Sequence, residues 1–379
     1  MTAVSDPTRH GVTGVEHATV VHKDGTVALR DLSLAAQPGE LLAVLGPSGS
    51  GKSTFLRAIA GLTKLSSGRV LIDGSYIAHD VQRRDVAMVF ENTALLPFLD
   101  VARNLSFAQD INKAPPQETR ARVEEHARGL RLTRLLPRKP ATLSRGEQAR
   151  VGIGRALVRS PKTFLLDEPL AHFDAGERVR MRHHLREVVK QAGVTTLYVS
   201  HDQTEALAIG DRIAVVKDGA LVQVGTSAQL YAEPVNTFVA EFVGTLPMGL
   251  LAARLVVSGT MAGFRIGDRT LPTWTAPPPG LGGDTDRAIL LGVRAEDVHE
   301  HPRPDDGTVT GLVTSVEVIG RHATVTVAVG DERDYARFSA RTQVRPGELI
   351  TVGVDAARAH VFDPVSRTAL AHPTSDPAA

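Results

Sequence analysis

Five apolar runs stand out along the first part of the chain: Glu40–Leu45, Ala87–Phe90, Thr163–Leu166, Thr195–Ser200 and Ile213–Val216. Each is nearly unbroken rather than alternating, the pattern of a strand buried on both faces of a parallel sheet. Between them, apolar residues recur at helical spacing, as in Phe55, Leu56, Ile59 and Ala60 before Gly61, and in Val151, Ile153, Ala156 and Leu157. Strands alternating with helices predict an α/β domain. From Pro115 to Pro140 the period stays helical but the residues are charged, with Arg120, Arg122, Arg128, Arg131 and Arg134, and a solvated helix face is expected.

After Phe242-Val243-Gly244 the pattern changes. Short runs rich in Val, Thr and Leu (Ala288–Val293, Gly311–Ile319, Ala323–Val329, Glu348–Val354) are separated by Gly, Pro and Asp. These predict a small β-domain or barrel. Pro277–Gly280 and Pro302–Asp306 read as loops. The expected organisation is an α/β domain over 14–243 with a helical subdomain at about 92–160, a β-domain over 250–365, and polar tails at 1–13 and 366–379.

Composition narrows the classes. The chain has 379 residues, enough for two or three domains, and a net charge of +1, which gives no bulk attraction to nucleic acid. It contains no cysteine, which excludes disulfides, thiolate zinc sites and a thiol nucleophile. No apolar run approaches the roughly 20 residues of a membrane span, and the first dozen residues do not read as a signal peptide.

The candidate chemistry is concentrated. Gly46-Pro47-Ser48-Gly49-Ser50-Gly51-Lys52-Ser53-Thr54 matches the P-loop pattern and lies between a predicted strand and a predicted helix. Its glycines let backbone N–H groups surround phosphate oxygens at a helix N-terminus, with Lys52 for the β- and γ-phosphates and Ser53 for Mg²⁺. The apolar strand Thr163–Leu166 runs into Asp167 and Glu168, a Walker B pattern in which Asp167 joins the Mg²⁺ sphere and Glu168 polarises the attacking water. Leu143-Ser144-Arg145-Gly146-Glu147-Gln148 opens a further helix, and Ser144 and Glu147 also have capping-box spacing.

With that hexapeptide the chain resembles the ATP-binding-cassette family, whose signature it matches. The resemblance implies that Ser144 and Gly146, flanked by Arg145 and Glu147, meet the nucleotide of a partner subunit. It also makes Asp174 the D-loop aspartate and His201 the switch histidine at the γ-phosphate. Ala87–Glu91, followed by Ala94–Pro97, resembles the Q-loop strand and its coupling segment, the latter near Asn92–Leu105, which places Glu91 where a glutamine would serve Mg²⁺ and water. Asp218–Thr226 and Phe238–Pro247 resemble segments of the importer branch. Leu291–Glu296, Gly311–Gly320 and Arg345–Glu348 resemble the C-terminal OB-like (TOBE) domain of maltose-type sugar importer ATPases. Departures are Glu91 for glutamine, Arg145 for the first signature glycine, Ala171 for the D-loop serine, and His22 where an aromatic would stack on adenine.

The resemblance implies an α/β P-loop NTPase domain with an inserted helical subdomain, followed by a small all-β domain. It implies an ATP- and Mg²⁺-dependent homodimer on the cytoplasmic side of the membrane, working with two transmembrane permease subunits and a solute-binding protein. Sugars or sugar-like solutes such as glycerol phosphate are the expected cargo, with polyamine, iron or anions open. A soluble cassette acting on nucleic acid or ribosomes is disfavoured by the near-neutral charge and single cassette. A kinase is disfavoured by the signature and His201, and a GTPase by the lack of a guanine-specificity motif.

Overall fold

The apolar runs assemble into one sheet. In a computed structural model, described for residues 11–77, 84–91, 94–258, 261–267, 269–274, 286–330 and 332–373, the chain divides into two units, Met1–Ser227 and Ala228–Ala379. The strands of the first unit are β1 (Thr13–Val21), β2 (Val27–Ala36), β3 (Leu41–Leu45), β4 (Ser67–Ile72), β5 (Ser75–Ile77), β6 (Val86–Val89), β7 (Thr163–Asp167), β8 (Thr195–Val199), β9 (Arg212–Lys217) and β10 (Ala220–Gly225). Its helices are α1 (Lys52–Ala60), α2 (Val101–Ile111), α3 (Pro116–Gly129), α4 (Arg145–Val158), α5 (Ala175–Ala192) and α6 (Gln203–Ile209).

The main sheet has the order β10-β9-β3-β8-β7-β6. Its pairings are parallel from β9 to β6, and β10 returns antiparallel through Asp218 and Gly219, both at positive φ (50° and 78°). Every residue of β3, β7 and β8 is buried, which is why these strands carry no alternation. On one face Phe55, Leu56 and Ile59 of α1 pack with Leu42, Val44, Leu165 and Leu197. On the other, Leu105, Leu130, Ile153 and Met181 form a core with Leu166 and Tyr198. Each such fully buried side chain stabilises the unit by roughly 2 kcal/mol. A second, antiparallel sheet of order β2-β1-β4-β5 completes the unit. On α3, Arg120 and Arg122 pair with Glu124 and Glu118 at 2.9 and 2.7 Å; Arg120 and Arg128 on this helix, and Arg131 and Arg134 just beyond it, are exposed.

The second unit opens with α7 (Ser227–Ala232, its first residue at the division) and α8 (Thr237–Phe242). Among the described residues the strands that follow are β11 (Gly249–Ser258), β12 (Met261–Ile266), β13 (Arg269–Trp274), β14 (Arg287–Val293), β15 (Val298–His299), β16 (Gly307–Ile319), β17 (His322–Val329), β18 (Glu332–Ser339), β19 (Leu349–Val354), β20 (His360–Phe362) and β21 (Ala369–Ala371). They form antiparallel sheets of order β13-β12-β11-β14-β20-β21 and β15-β19-β16-β17-β18. Leu251, Leu255, Phe264, Leu291, Val309, Val325, Phe338 and Val354 fill one core between them, giving a near-closed, barrel-like β-domain.

The division falls earlier than the boundary at 243 expected from the sequence, because α7 and α8 are tied to the β-domain. Arg294, 3 % exposed, donates to the carbonyls of Ala240, Val243 and Tyr231 at 2.9, 2.7 and 2.9 Å. Its guanidinium also lies 3.9 Å over the Tyr231 ring. The expected loop Pro277–Gly280, the start of the coupling segment at Asn92, and the ends of both tails lie outside the described residues. Among the described residues no helix is long and apolar enough to cross a membrane.

Candidate nucleotide site

The P-loop lies between β3 and α1, as its sequence context predicts. Two of its glycines are required by geometry. A Cβ on Gly46 would stand 2.1 Å from the Val216 carbonyl oxygen. One on Gly51, where φ is +96°, would stand 2.3 Å from the Ala28 carbonyl oxygen. Gly51 caps α1 without a side chain, so the first N–H groups of that helix are left for an anion. Lys52 is buried and donates from Nζ to the carbonyls of Gly46 and Pro47 at 2.7 and 2.8 Å, which fixes its ammonium inside the loop. Desolvation lowers its pKa, while Glu168 and Asp167 oppose the shift. Ser50 Oγ is buried and has no hydrogen-bond partner among the described residues. Pro47, Ser48, Gly49, Ser53 and Thr54 complete the loop, with Ser48 and Gly49 exposed at its tip.

The two acids stand at the end of β7, and parallel pairing with β8 sets the histidine beside them. Ser53 Oγ donates to Asp167 Oδ1 at 3.0 Å. Burial raises the Asp167 pKa, the Ser53 hydrogen bond and Arg57 lower it, and the charges of Glu168 and Glu91 raise it. Glu168 has a left-handed backbone, φ 50°, and its N–H donates to the Val199 carbonyl at 3.0 Å. That conformation turns its carboxylate toward His201, whose Nδ1 is 2.6 Å from Oε2. A carboxylate held in this way can accept a proton from water. Glu91 is exposed just beyond β6, the strand paired with β7.

The signature residues stand on a different element. Ser144 caps α4 in a full capping box: its Oγ accepts from Glu147 N–H at 3.2 Å, and Glu147 Oε2 accepts from Ser144 N–H at 2.8 Å. Arg145 is exposed. Gly146 is buried beside Phe173 and Glu177. Asp174 caps α5, accepting from Glu177 N–H at 2.8 Å. His22 is exposed in the β1–β2 turn, where its N–H donates to Thr26 at 2.9 Å. The start of β2 reaches the P-loop, since Ala28 is the residue that crowds Gly51. Two contributors escaped the sequence reading. Arg57, one turn along α1 from Ser53, acts on Asp167. Arg178 ties α5 to Asp202 at 3.3 Å; nothing in its local sequence marks it.

The fold and the site together define a P-loop ATPase of the cassette type. The chain belongs to the ABC transporter family: the ABC transporter model matches residues 29–171, and the TOBE domain model matches residues 291–362. The trehalose/maltose import ATP-binding protein MalK of Thermococcus litoralis is 40% identical, over 90% of this chain and 95% of that protein. The sn-glycerol-3-phosphate import ATP-binding protein UgpC 3 of Agrobacterium fabrum is 37% identical over 90% and 95%. The oligosaccharides import ATP-binding protein MsmX of Bacillus subtilis is 36% identical over 92% and 96%. A dimeric ATP-binding cassette in a post-hydrolysis state, bound to ADP and Pi, matches 57% of this chain and 98% of its own at 31% identity and a TM-score of 0.51. The structure of cbiO1 from Clostridium perfringens, part of the ABC transporter complex cbiONQ, matches 59% of this chain and 92% of its own at 30% identity and a TM-score of 0.55.

Proposed function

We propose that this chain is the ATP-hydrolysing subunit of an importer for sugars or sugar-like solutes such as glycerol phosphate. It works as a homodimer, peripheral on the cytoplasmic side of the membrane, with two permease subunits and a solute-binding protein. The observation that carries the catalytic part is the Glu168–His201 pair at 2.6 Å beside the Ser53–Asp167 pair at 3.0 Å. Sugar import is supported by the near full-length likeness to MalK, MsmX and UgpC.

Lys52 and the first N–H groups of α1 bind the β- and γ-phosphates. Glu168 accepts a proton from water as its oxygen attacks the γ-phosphorus and the bond to ADP breaks. His201 orients Glu168 and donates toward the γ-phosphate. The donor set fits Mg²⁺: Ser53 and Asp167 offer two hard oxygens already in contact, with Glu91 beyond them. Among the described residues no cluster of three or more carboxylates and imidazoles is built to hold a metal alone, as suits an ion completed by phosphate oxygens. When bound, Mg²⁺ supplies neutralisation of the phosphate charge. Ser144, Gly146 and Asp174, at the starts of α4 and α5, face the nucleotide of the partner copy, with Arg145 and Glu147 flanking them. His22 supports the adenine.

Reconstitution with two permease subunits and a solute-binding protein, in vesicles loaded with ATP, tests the reading. ATP-dependent uptake of labelled trehalose, maltose or glycerol phosphate is expected. ATP hydrolysis with no uptake of any of these would overturn the cargo assignment, and absence of ATP binding would overturn the enzyme.

A further inference from the structure

The first turn of α5 touches both the signature helix and the switch histidine segment of the same chain. Toward α4, Glu177 Oε1 pairs with Arg150 Nη1, and its other oxygen lies where a Cβ on Gly146 would meet it at 3.4 Å. The Phe173 ring stands 3.5 Å from the same point. Toward the D-loop, Glu177 N–H donates to Asp174 Oδ1 at 2.8 Å. Toward the switch, Arg178 donates to the Phe173 carbonyl at 3.1 Å and to Asp202 Oδ2 at 3.3 Å. Asp202 follows His201 directly. It caps α6 through Glu205 N–H at 3.0 Å, and its own N–H donates to Ser200 Oγ at 3.0 Å. The turn bearing His201 is therefore held on both sides.

These ion pairs are sheltered. Side-chain exposure is 15 % and 28 % for Arg150 and Glu177, and 33 % and 31 % for Arg178 and Asp202. Partial burial makes them stronger than surface pairs and makes a broken partner costly. Glu177 and Arg178 are adjacent, and they anchor opposite sides of one helix end. One helix end thus contacts α4, the Asp174 cap and the His201 turn together.

We infer that Glu177 and Arg178 are positioning residues that couple the signature helix to the switch histidine within one chain. The inference rests on the ATPase reading above. In that reading Ser144 and Gly146 engage the partner's nucleotide, and His201 and Glu168 act on the chain's own. The Glu177–Arg178 step then makes hydrolysis in one site depend on nucleotide in the other, with neither residue touching a nucleotide.

The test uses the full-length chain and steady-state and single-turnover ATP hydrolysis across ATP concentration. Glu177→Gln and Arg178→Met are expected to lower kcat about tenfold, within the 5–150-fold of typical site coupling, with little change in ATP affinity. The exchanged pair Arg150→Glu/Glu177→Arg is expected to recover most of the rate lost by Glu177→Arg alone. In a His201→Ala background, Glu177→Gln is expected to cost nothing further, because the route ends at His201. An equal loss in both backgrounds overturns the inference, as does an exchanged pair no faster than Glu177→Arg at equal thermal stability. A wild-type chain that neither binds nor hydrolyses ATP refutes the ATPase reading instead, so the two failures are distinguishable.

Discussion

Replacing Lys52 by alanine separates what the P-loop lysine does for the fold from what it does for the ligand. Its ammonium donates two hydrogen bonds, to Gly46 and Pro47, at 2.7 and 2.8 Å. Each charge-assisted bond is worth roughly 1.5–3 kcal/mol. Against them stands the cost of burying a cation, several kcal/mol, and desolvation is the leading cause of the lowered Lys52 pKa. The two terms nearly cancel, so Lys52→Ala should shift Tm by no more than about 4 °C, the equivalent of 1–2 kcal/mol for a domain of this size. ATP removes the balance. The phosphates then receive the ammonium that carbonyls hold in the free protein, and a net loss of about 3 kcal/mol weakens Kd by about a hundredfold. Calorimetric titration with ATP, run beside thermal melts, reads both quantities. A Kd within threefold of the wild type would refute the reasoning, as would a large fall in Tm with Kd unchanged.

Glu168→Gln should bind ATP but turn over about 10²–10⁴-fold more slowly, and Mg-ATP should hold it as a dimer in light scattering; a variant that stays monomeric contradicts the two-copy mechanism. Glu91→Gln should raise turnover and weaken the dependence on Mg²⁺, since one negative charge leaves the neighbourhood of Asp167; identical pH and Mg²⁺ profiles would remove Glu91 from the metal site. In the second unit, burial pushes Asp334 up to about 7 from 3.8, so the folded unit holds a proton that the unfolded chain releases. Stability is then lost as pH rises between those values, by about 4 kcal/mol in all, and Asp334→Asn should flatten that slope in chemical denaturation at pH 5 and pH 8.

The catalytic half of the fold is legible because its strands are buried on both faces. The run Thr163–Leu166 becomes β7 with one residue added, and Thr195–Ser200 becomes β8 with one removed. Adjacency of those strands, with parallel pairing of Asp167 and Val199, brings His201 to Glu168. The left-handed backbone at Glu168 that completes the contact leaves no mark in the sequence. The β2-β1-β4-β5 sheet was missed for a similar reason. His17 and Asp31 have φ of 49° and 48°, and the β1–β2 register shifts between Val15 and Ala18, so period-two alternation is broken where it would be read. The tie of α7 and α8 to the β-domain is not legible in the sequence, because Arg294 lies far along the chain from the carbonyls it holds.

Ser144 shows why a helix cap and a phosphate contact can share one residue. A hydroxyl has one donor and two acceptor positions. The cap uses one acceptor, for Glu147 N–H at 3.2 Å, and leaves the proton to donate outward. Capping thus orients the hydroxyl at the N-terminus of α4, where the helix dipole already favours an anion. The roles come apart under substitution. Ser144→Ala loses both, with about 1 kcal/mol of helix stability from the cap. Ser144→Asp keeps a strong cap but replaces the donor with a negative charge. If Ser144 meets the partner's γ-phosphate, Ser144→Asp should melt like the wild type yet fail to close into the ATP-bound dimer in a Glu168→Gln background. If Ser144 only caps, Ser144→Asp should dimerise normally and Ser144→Ala should show the larger defect.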